Sequence, residues 1–217
     1  LVTVSANSGD RGHVTAAQGM WPSYGADLAN STYAPLDQIT PDNVKDLRIA
    51  WRWSSVENAV LEDHLDLWTM VNEATPLIID GRLYTSTSLS QVAAIDARTG
   101  QTLWVYHPET YWQGLPPNLG FVHRGVAYWA DEEDKRIFIG TGGAYLMALD
   151  ANTGKPIPMF GDHGRIDLTQ GLRRSVNRTL YGVSSPPIIC RNILIVGATI
   201  SDYPQTKRDA AGGCPRL

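Results

Sequence analysis

The sequence is nearly without cysteine. Cys190 and Cys214 are the only two in 217 residues, which excludes a disulfide scaffold and argues against a thiolate metal site. No Cys-x-x-Cys-His occurs, so no c-type haem is attached to this chain. The formal net charge is −4 and there is no cationic block, which leaves no electrostatic footprint for nucleic acid or an anionic membrane surface. No apolar run approaches the roughly 20 residues of a membrane-spanning helix. The opening LVTVSANSG lacks the basic flank and apolar core of a secretory signal, so any such signal is expected to have been removed. Cys190 lies in the apolar run IIC and is expected to be a buried free thiol.

What the sequence does have is repetition. AIDARTGQTLW, residues 94–104, reads as a strand, a turn and a second strand. Asp96 and Thr99 can bond the turn amides, and Gly100 can take a positive φ without a Cβ penalty. ALDANTGKPIP at 148–158 repeats the Ala-x-Asp-x-x-Thr-Gly core at an offset of 150 − 96 = 54 residues, with Pro158 where a Trp would stand. PLIIDGRLYTST places Asp80-Gly81 between two apolar runs as a tight primed turn. YWADEEDKRIFIGTG is read as its copy, with Asp134-Lys135 as the turn at the same offset. A third copy begins at PPIICRNILIVGAT, with Arg191-Asn192 as its turn. About four short strands per period of this length is the pattern of propeller blades.

Residues 1–18 read as a loose arm, and residues 19–217 as a partial β-propeller domain. Thr40 and Pro41 predict a short helix through about Leu47, and RIAWRWS predicts a strand with Ile49, Trp51 and Trp53 on one face. The loops HPETYWQGLPPNLGFVH and Met159 to Gly182 are long for a compact domain, which points to a ligand face. Two full repeats and the start of a third cannot close a ring of four to eight blades. The chain is therefore expected to be the N-terminal part of a longer protein, or to be completed by another chain.

Several stretches together resemble the quinoprotein dehydrogenases: WPSYGADLANSTYAPLDQITPDNVKDLRIAWRW, NEATPLIIDGRLYTST, AIDARTGQTLW, HRGVAYW and VSSPPIICRNILIVGATISDY. The resemblance covers about residues 20 to 205. It implies an all-β, eight-bladed propeller of which this chain supplies the first few blades, with pyrroloquinoline quinone (PQQ) and calcium as cofactors. Residue by residue it implies that Glu73 lies beside PQQ, that Arg124 contacts the quinone's polar edge, that His123 lies near the cofactor, that Ser184 gives a hydroxyl to a cofactor carboxylate, and that Asp202 lies near calcium. The base that takes the substrate proton is implied to sit in a later blade, so no catalytic residue is assigned here.

Where the alcohol-oxidising branch has adjacent cysteines shortly before the Arg, this chain has GFVH, which points toward the sugar- or polyol-oxidising branch. The resemblance further implies a small-molecule sugar, polyol or alcohol substrate, and a cytochrome or membrane quinone as electron acceptor. It implies a periplasmic location, possibly attached to the outer side of the cytoplasmic membrane. Two other readings stand beside it. One is a non-catalytic propeller that scaffolds protein assembly. The other is an inactive, truncated remnant, for which the tail DAAGGCPRL speaks.

Overall fold

The structure, a computed structural model, describes residues 2–3, 19–27, 29–132 and 134–202. The expected arm, residues 1–18, lies outside them except for Val2–Thr3, as does the tail that carries Cys214.

Two four-stranded antiparallel sheets form the body. The first contains β3 (Leu77–Ile79), β4 (Arg82–Ser86), β5 (Val92–Asp96) and β6 (Thr102–Tyr106), in chain order. The second contains β8 (Ala127–Asp131), β9 (Asp134–Gly140), β10 (Tyr145–Asp150) and β11 (Arg165–Asp167), also in order. A third sheet pairs β13 (Ile188–Cys190) with β14 (Ile193–Ile195), and β14 with β1 (Val2–Thr3). These in-order meanders are the unit of a propeller.

Strand periodicity stacks the three sheets. Successive side chains of β9 and β10 face opposite ways. Ile137, Ile139, Met147 and Leu149 therefore pack toward Leu77, Tyr84 and Val92 of the first sheet. Phe138, Leu146 and Ala148 pack toward Leu194 and Ile189 of the third. Each Leu, Ile, Phe or Met side chain that is fully buried there stabilises the fold by roughly 1.5–3 kcal/mol before entropy is counted.

The two docking turns are duplicates in atomic detail. Asp96 Oδ1 accepts from Arg98 N at 3.0 Å, Thr99 N at 2.8 Å and Thr99 Oγ1 at 2.9 Å. Asp150 Oδ1 accepts from Asn152 N at 3.0 Å and from Thr153 N and Oγ1 at 2.8 Å. The bonds from Thr99 and Arg98 hold the exposed Asp96 carboxyl below its ordinary range. Each glycine then lets a tryptophan from the preceding segment lie against the turn. Trp104 Nε1 donates to Ala151 O at 3.1 Å and its ring occupies the space a Cβ on Gly154 would need. Trp51 Nε1 donates to Ala97 O at 3.1 Å, and a Cβ on Gly100 would lie 2.6 Å from its ring. The tryptophan of one unit thus covers the turn of the next.

Several expectations are corrected. RIAWRWS pairs with no strand among the described residues; its alternation instead sets Trp51 and Trp53 against the first sheet, where Trp53 Nε1 donates to Thr102 Oγ1 at 2.9 Å. The helix expected through Leu47 is a single 3-10 turn, Val44–Asp46; neither Thr40 nor Asn43 gives it a side-chain cap, and Asn43 Oδ1 instead accepts from Thr40 N at 2.8 Å. The second hairpin reverses before Asp134: β8 and β9 pair out to Asp131 opposite Asp134, so Asp134 and Lys135 are ladder residues. Cys190 is exposed, because Ile189 takes the inward position of β13 and alternation sends both its neighbours outward. Beyond the second docking turn, Pro156 and Pro158 lack the N–H a ladder needs, so the fourth strand forms only at β11. The long loop expected from Met159 to Gly182 contains that strand, the 3-10 helix Arg178–Leu180 and β12 (Tyr181–Gly182).

Candidate functional site

The site grows from a short parallel pairing. β2 (Val71–Asn72) runs beside β7 (Val122–His123), and Glu73 N donates to His123 O at 3.1 Å. This pairing sets Glu73 next to Arg124, whose Nε donates to Glu73 Oε2 at 2.9 Å. Arg124 N donates to Ser184 O at 2.8 Å, and Arg124 Nη1 to Ser184 Oγ at 2.9 Å. Three of the residues predicted from the sequence, 73, 124 and 184, thus meet in one cluster. Ser184 Oγ also lies 3.4 Å from Thr199 Oγ1. Glu73 occupies Nε and Ser184 occupies Nη1, so Nη2 of Arg124 is the guanidinium nitrogen left for a ligand among the described residues.

Arg124 and Ser184 line a cleft of about 230 Å³ together with Asn118, Val122, Gly142, Gly182, Thr199 and Asp202, among others. The 110–120 loop forms one wall. Packed against that loop is the turn between β9 and β10, which gives Gly142 to the lining, with Gly143 next to it outside the cleft. A Cβ on Gly142 would lie 2.7 Å from Pro116 Cγ, and one on Gly143 would strike Gln113 Oε1. A Cβ on Gly182 would sit 2.6 Å from Gly142 O. Three glycines therefore let the loop, the turn and β12 approach more closely than any other residue allows.

Asp202 lies at the rim. Its N–H donates to Asn118 Oδ1 at 2.8 Å, while Asn118 Nδ2 donates to Ile200 O at 2.8 Å, so one asparagine ties the 110–120 loop to the end of β15 (Thr199–Ile200). No three His, Cys, Asp or Glu side chains gather around a common point among the described residues. One carboxylate does not satisfy the six to eight oxygens calcium takes.

His123 is the exception among the predicted contacts. It is fully buried, with Nε2 2.7 Å from Gly140 O and Nδ1 2.8 Å from Ser86 Oγ. Gly125 N also donates to Nδ1, at 3.2 Å. The Gly140 carbonyl can only accept, so Nε2 carries the proton and Nδ1 is the acceptor. Burial pulls the imidazole pKa down to about 4. Strand alternation gives the reason: Val122 and Arg124 face the cleft, and the residue between them must face away. His123 is therefore a structural pin and not a cleft residue.

Thr199, Asn118, Gly142 and Gly182 were not picked out from the sequence. The paired glycines of TGGAY and the Asn of PPNLG were visible there, but nothing local tells which loop faces which.

A family model described as glucose/ethanol/alcohol dehydrogenase, beta-propeller domain, of the PQQ type, matches residues 21–215. The chain belongs to this family. It is 30% identical over 94% of its length to a quinoprotein glucose dehydrogenase of Gluconobacter oxydans (strain 621H), covering 26% of that protein. It is 36% identical over 75% of its length to a quinohemoprotein alcohol dehydrogenase of Comamonas testosteroni, covering 22% of it. The crystal structure of the quinohemoprotein alcohol dehydrogenase from Comamonas testosteroni superposes with a TM-score of 0.62 at 34% identity, covering 82% of this chain and 23% of that one. The chain spans about a quarter of the length of the curated relatives it matches. The quinoprotein propeller expected from the sequence is thus the observed architecture.

Proposed function

We propose that the protein containing this chain oxidises a hydroxyl group of a sugar, polyol or alcohol by passing hydride to PQQ, and that the Arg124 cleft is this chain's share of the cofactor site. One observation carries the proposal. In a member of the PQQ family, a half-buried guanidinium is fixed by Glu73 and Ser184, with Nη2 unengaged among the described residues, at a cleft that Arg124 and Ser184 line together. When bound, PQQ supplies the quinone that accepts the hydride; the redox chemistry belongs to the cofactor.

The chain's own residues hold and orient. Arg124 is permanently charged and planar, suited to a carboxylate or quinone oxygen. Glu73 fixes the plane of that guanidinium, and Ser184 and Thr199 turn hydroxyls toward the same edge. Glu73 also balances the Arg124 charge while no anion is bound. Calcium belongs to the proposal for the whole protein, with Asp202 offering one oxygen. No group of three His, Cys, Asp or Glu stands with it among the described residues, so no step is derived through the ion. The GFVH stretch in place of adjacent cysteines supports a sugar or polyol over a simple alcohol, and relatives of both kinds match. A cytochrome or membrane quinone as acceptor, and a periplasmic site of action, complete the reading.

The test is titration of the full-length apoprotein with PQQ and calcium, followed by tryptophan fluorescence, together with a dye-linked assay on glucose, polyols and primary alcohols. Arg124→Ala is expected to weaken PQQ binding by about ten- to a hundredfold, since a hydrogen bond to a charged group is worth roughly 1.5–3 kcal/mol. A full-length protein that shows no saturable quenching would sink the proposal and favour a scaffold.

A further inference from the structure

The turn that gives Gly142 to the cleft, with Gly143 beside it, raises a physical difficulty. Glycine has the most backbone freedom of any residue and loses the most on being fixed. Two adjacent glycines are therefore a poor support for a rigid ligand unless something outside the turn holds them. Arg178 does so from three directions. Its Nη1 donates to Gly143 O at 3.0 Å. Its Nη2 donates to Asp167 Oδ2 and, at 3.1 Å, to Thr169 Oγ1. Its guanidinium lies 4.7 Å from the ring centroid of Tyr145, the residue that closes the same turn by accepting from Thr141 N at 2.8 Å.

The far end of this clamp is itself fixed. Asp167 Oδ1 accepts from Thr169 N at 2.9 Å and from Thr169 Oγ1 at 2.7 Å. Asp167 lies in β11, which pairs directly with β10 through Tyr145 opposite Asp167. Arg178 also begins the 3-10 helix that leads through β12 into Val183 and Ser184, and Val183 N donates to Thr141 O at 3.0 Å. One side chain thus joins the glycine turn to the segment that delivers Ser184 to Arg124. Neither Arg178 nor Asp167 lines the cleft.

We infer that Arg178, held by Asp167, is a positioning residue that, by fixing Gly143 O, pre-orders the turn that gives Gly142 to the cofactor cleft, an inference that rests on the proposed reading of that cleft. Without it the turn must be ordered by the ligand on binding, at the ligand's expense in affinity. Arg178→Ala is expected to weaken PQQ binding about tenfold, the equivalent of ordering roughly one backbone residue. Arg178→Lys, which can reach either Gly143 O or Asp167 but not both in the same fork, is expected to recover part of the loss. Amide hydrogen exchange at 142 and 143 is expected to quicken in Arg178→Ala without ligand, which gives a readout independent of turnover. At saturating PQQ the turnover number is expected to stay within about twofold, since the clamp acts on the turn and not on the reacting atoms.

The experiment is PQQ titration of the full-length apoprotein in the unsubstituted, Arg178→Ala, Arg178→Lys and Asp167→Asn forms, with thermal melts and hydrogen exchange in parallel. Weaker binding ranked Ala, then Asn and Lys, then unsubstituted, with faster exchange confined to the turn, supports the inference. Equal affinity in all four, even with a lowered melting temperature, overturns it and leaves Arg178 a purely structural residue. If Arg178→Ala does not fold, Asp167→Asn carries the test, and its unchanged affinity and exchange would overturn the inference equally. Failure of the unsubstituted protein to bind PQQ would be a different result: it removes the cofactor reading, and this inference with it.

Discussion

In the first sheet the turn between β4 and β5 closes with Thr87 N donating to Gln91 O and Ser90 N to Thr87 O, both at 3.0 Å. In the second sheet, Thr141 N donates to Tyr145 O at 2.8 Å and Ala144 N to Thr141 O at 3.0 Å, with Ser90 and Ala144 both at φ 62. The backbone is the same; the contents differ. The first turn carries Ser88 and Leu89, and Leu89 is buried at 1% exposure with Tyr111, Phe121, Val60 and Leu61. Its Ser88 N–H is satisfied by the buried Glu57 Oε2 at 2.9 Å, from α1 (Glu57–Asp63). The second turn carries glycines at these places, and its carbonyl is satisfied by the Arg178 cation. In one copy the turn is filled by its own side chains and capped by a carboxylate; in the other its glycines leave room that Pro116 and Gln113 of the 110–120 loop take up, and an arginine caps it.

The largest effect that would break the comparison is on the filled side. Leu89→Ala leaves a cavity beneath Tyr111 and Phe121 and is expected to cost about 2–5 kcal/mol of stability. Urea denaturation of the full-length protein reads this as a lowered midpoint at unchanged slope. PQQ affinity is expected to move less than about twofold, because Leu89 does not line the cleft. A stability loss well under that range would mean that the first turn is not anchored by its packing.

The two turns are pinned together by one residue. His123 accepts at Nδ1 from Ser86 and donates at Nε2 to Gly140, and these two partners are equivalent positions, 140 − 86 = 54 residues apart. Its folded pKa of about 4 lies below the ordinary histidine value of 6.5 that applies when the chain is unfolded. Between these values the unfolded chain binds more protons, so stability rises with pH. The contribution is fully present above about pH 6.5 and is lost as pH falls through 4, with a total on the order of 3 kcal/mol. Denaturation midpoints measured from pH 7 to pH 4 are expected to fall accordingly, and His123→Asn is expected to be weaker at neutral pH with a flatter pH dependence. An unchanged slope in that variant would assign the titration to another group.

Much of this architecture was legible because it is built from short-range chemistry. Asp-x-x-Thr-Gly specifies its own turn through one carboxylate and three donors, so the same letters at 96 and 150 gave the same structure. Asp80-Gly81 and Arg191-Asn192 likewise turn where expected, with Asp80 at φ 49 and Arg191 at φ 53. Asp134-Lys135 misled because offset was carried over from the docking turn, whereas the second hairpin extends its ladder to Asp131. Glu73, Arg124 and Ser184 were named from family-like stretches and do meet. His123 was named near the cofactor by the same resemblance; its side chain is buried between Ser86 and Gly140, outside the cleft lining. Thr199, Asn118 and Arg178 could not be found by pattern, because their partners lie far along the chain and nothing local encodes the meeting.

The smallest effect sharpens the comparison from the glycine side. Gly142 does not occupy a positive φ, so alanine is compatible with its backbone and only space is at issue. The added Cβ would lie 2.7 Å from Pro116 Cγ, which must give way. Overpacking of this kind costs roughly 1–3 kcal/mol, and the low end applies because Pro116 sits in a loop that can shift. The expected signature of Gly142→Ala is therefore a stability loss of about 1 kcal/mol and a several-fold weaker PQQ affinity, in contrast to Leu89→Ala, where stability falls and affinity holds. The equivalent position in the first turn already carries Ser88, so Ser88→Gly is expected to leave affinity unchanged. If Gly142→Ala shifts neither midpoint nor affinity, Pro116 yields without cost and the close approach of the 110–120 loop to the second turn does not shape the cleft.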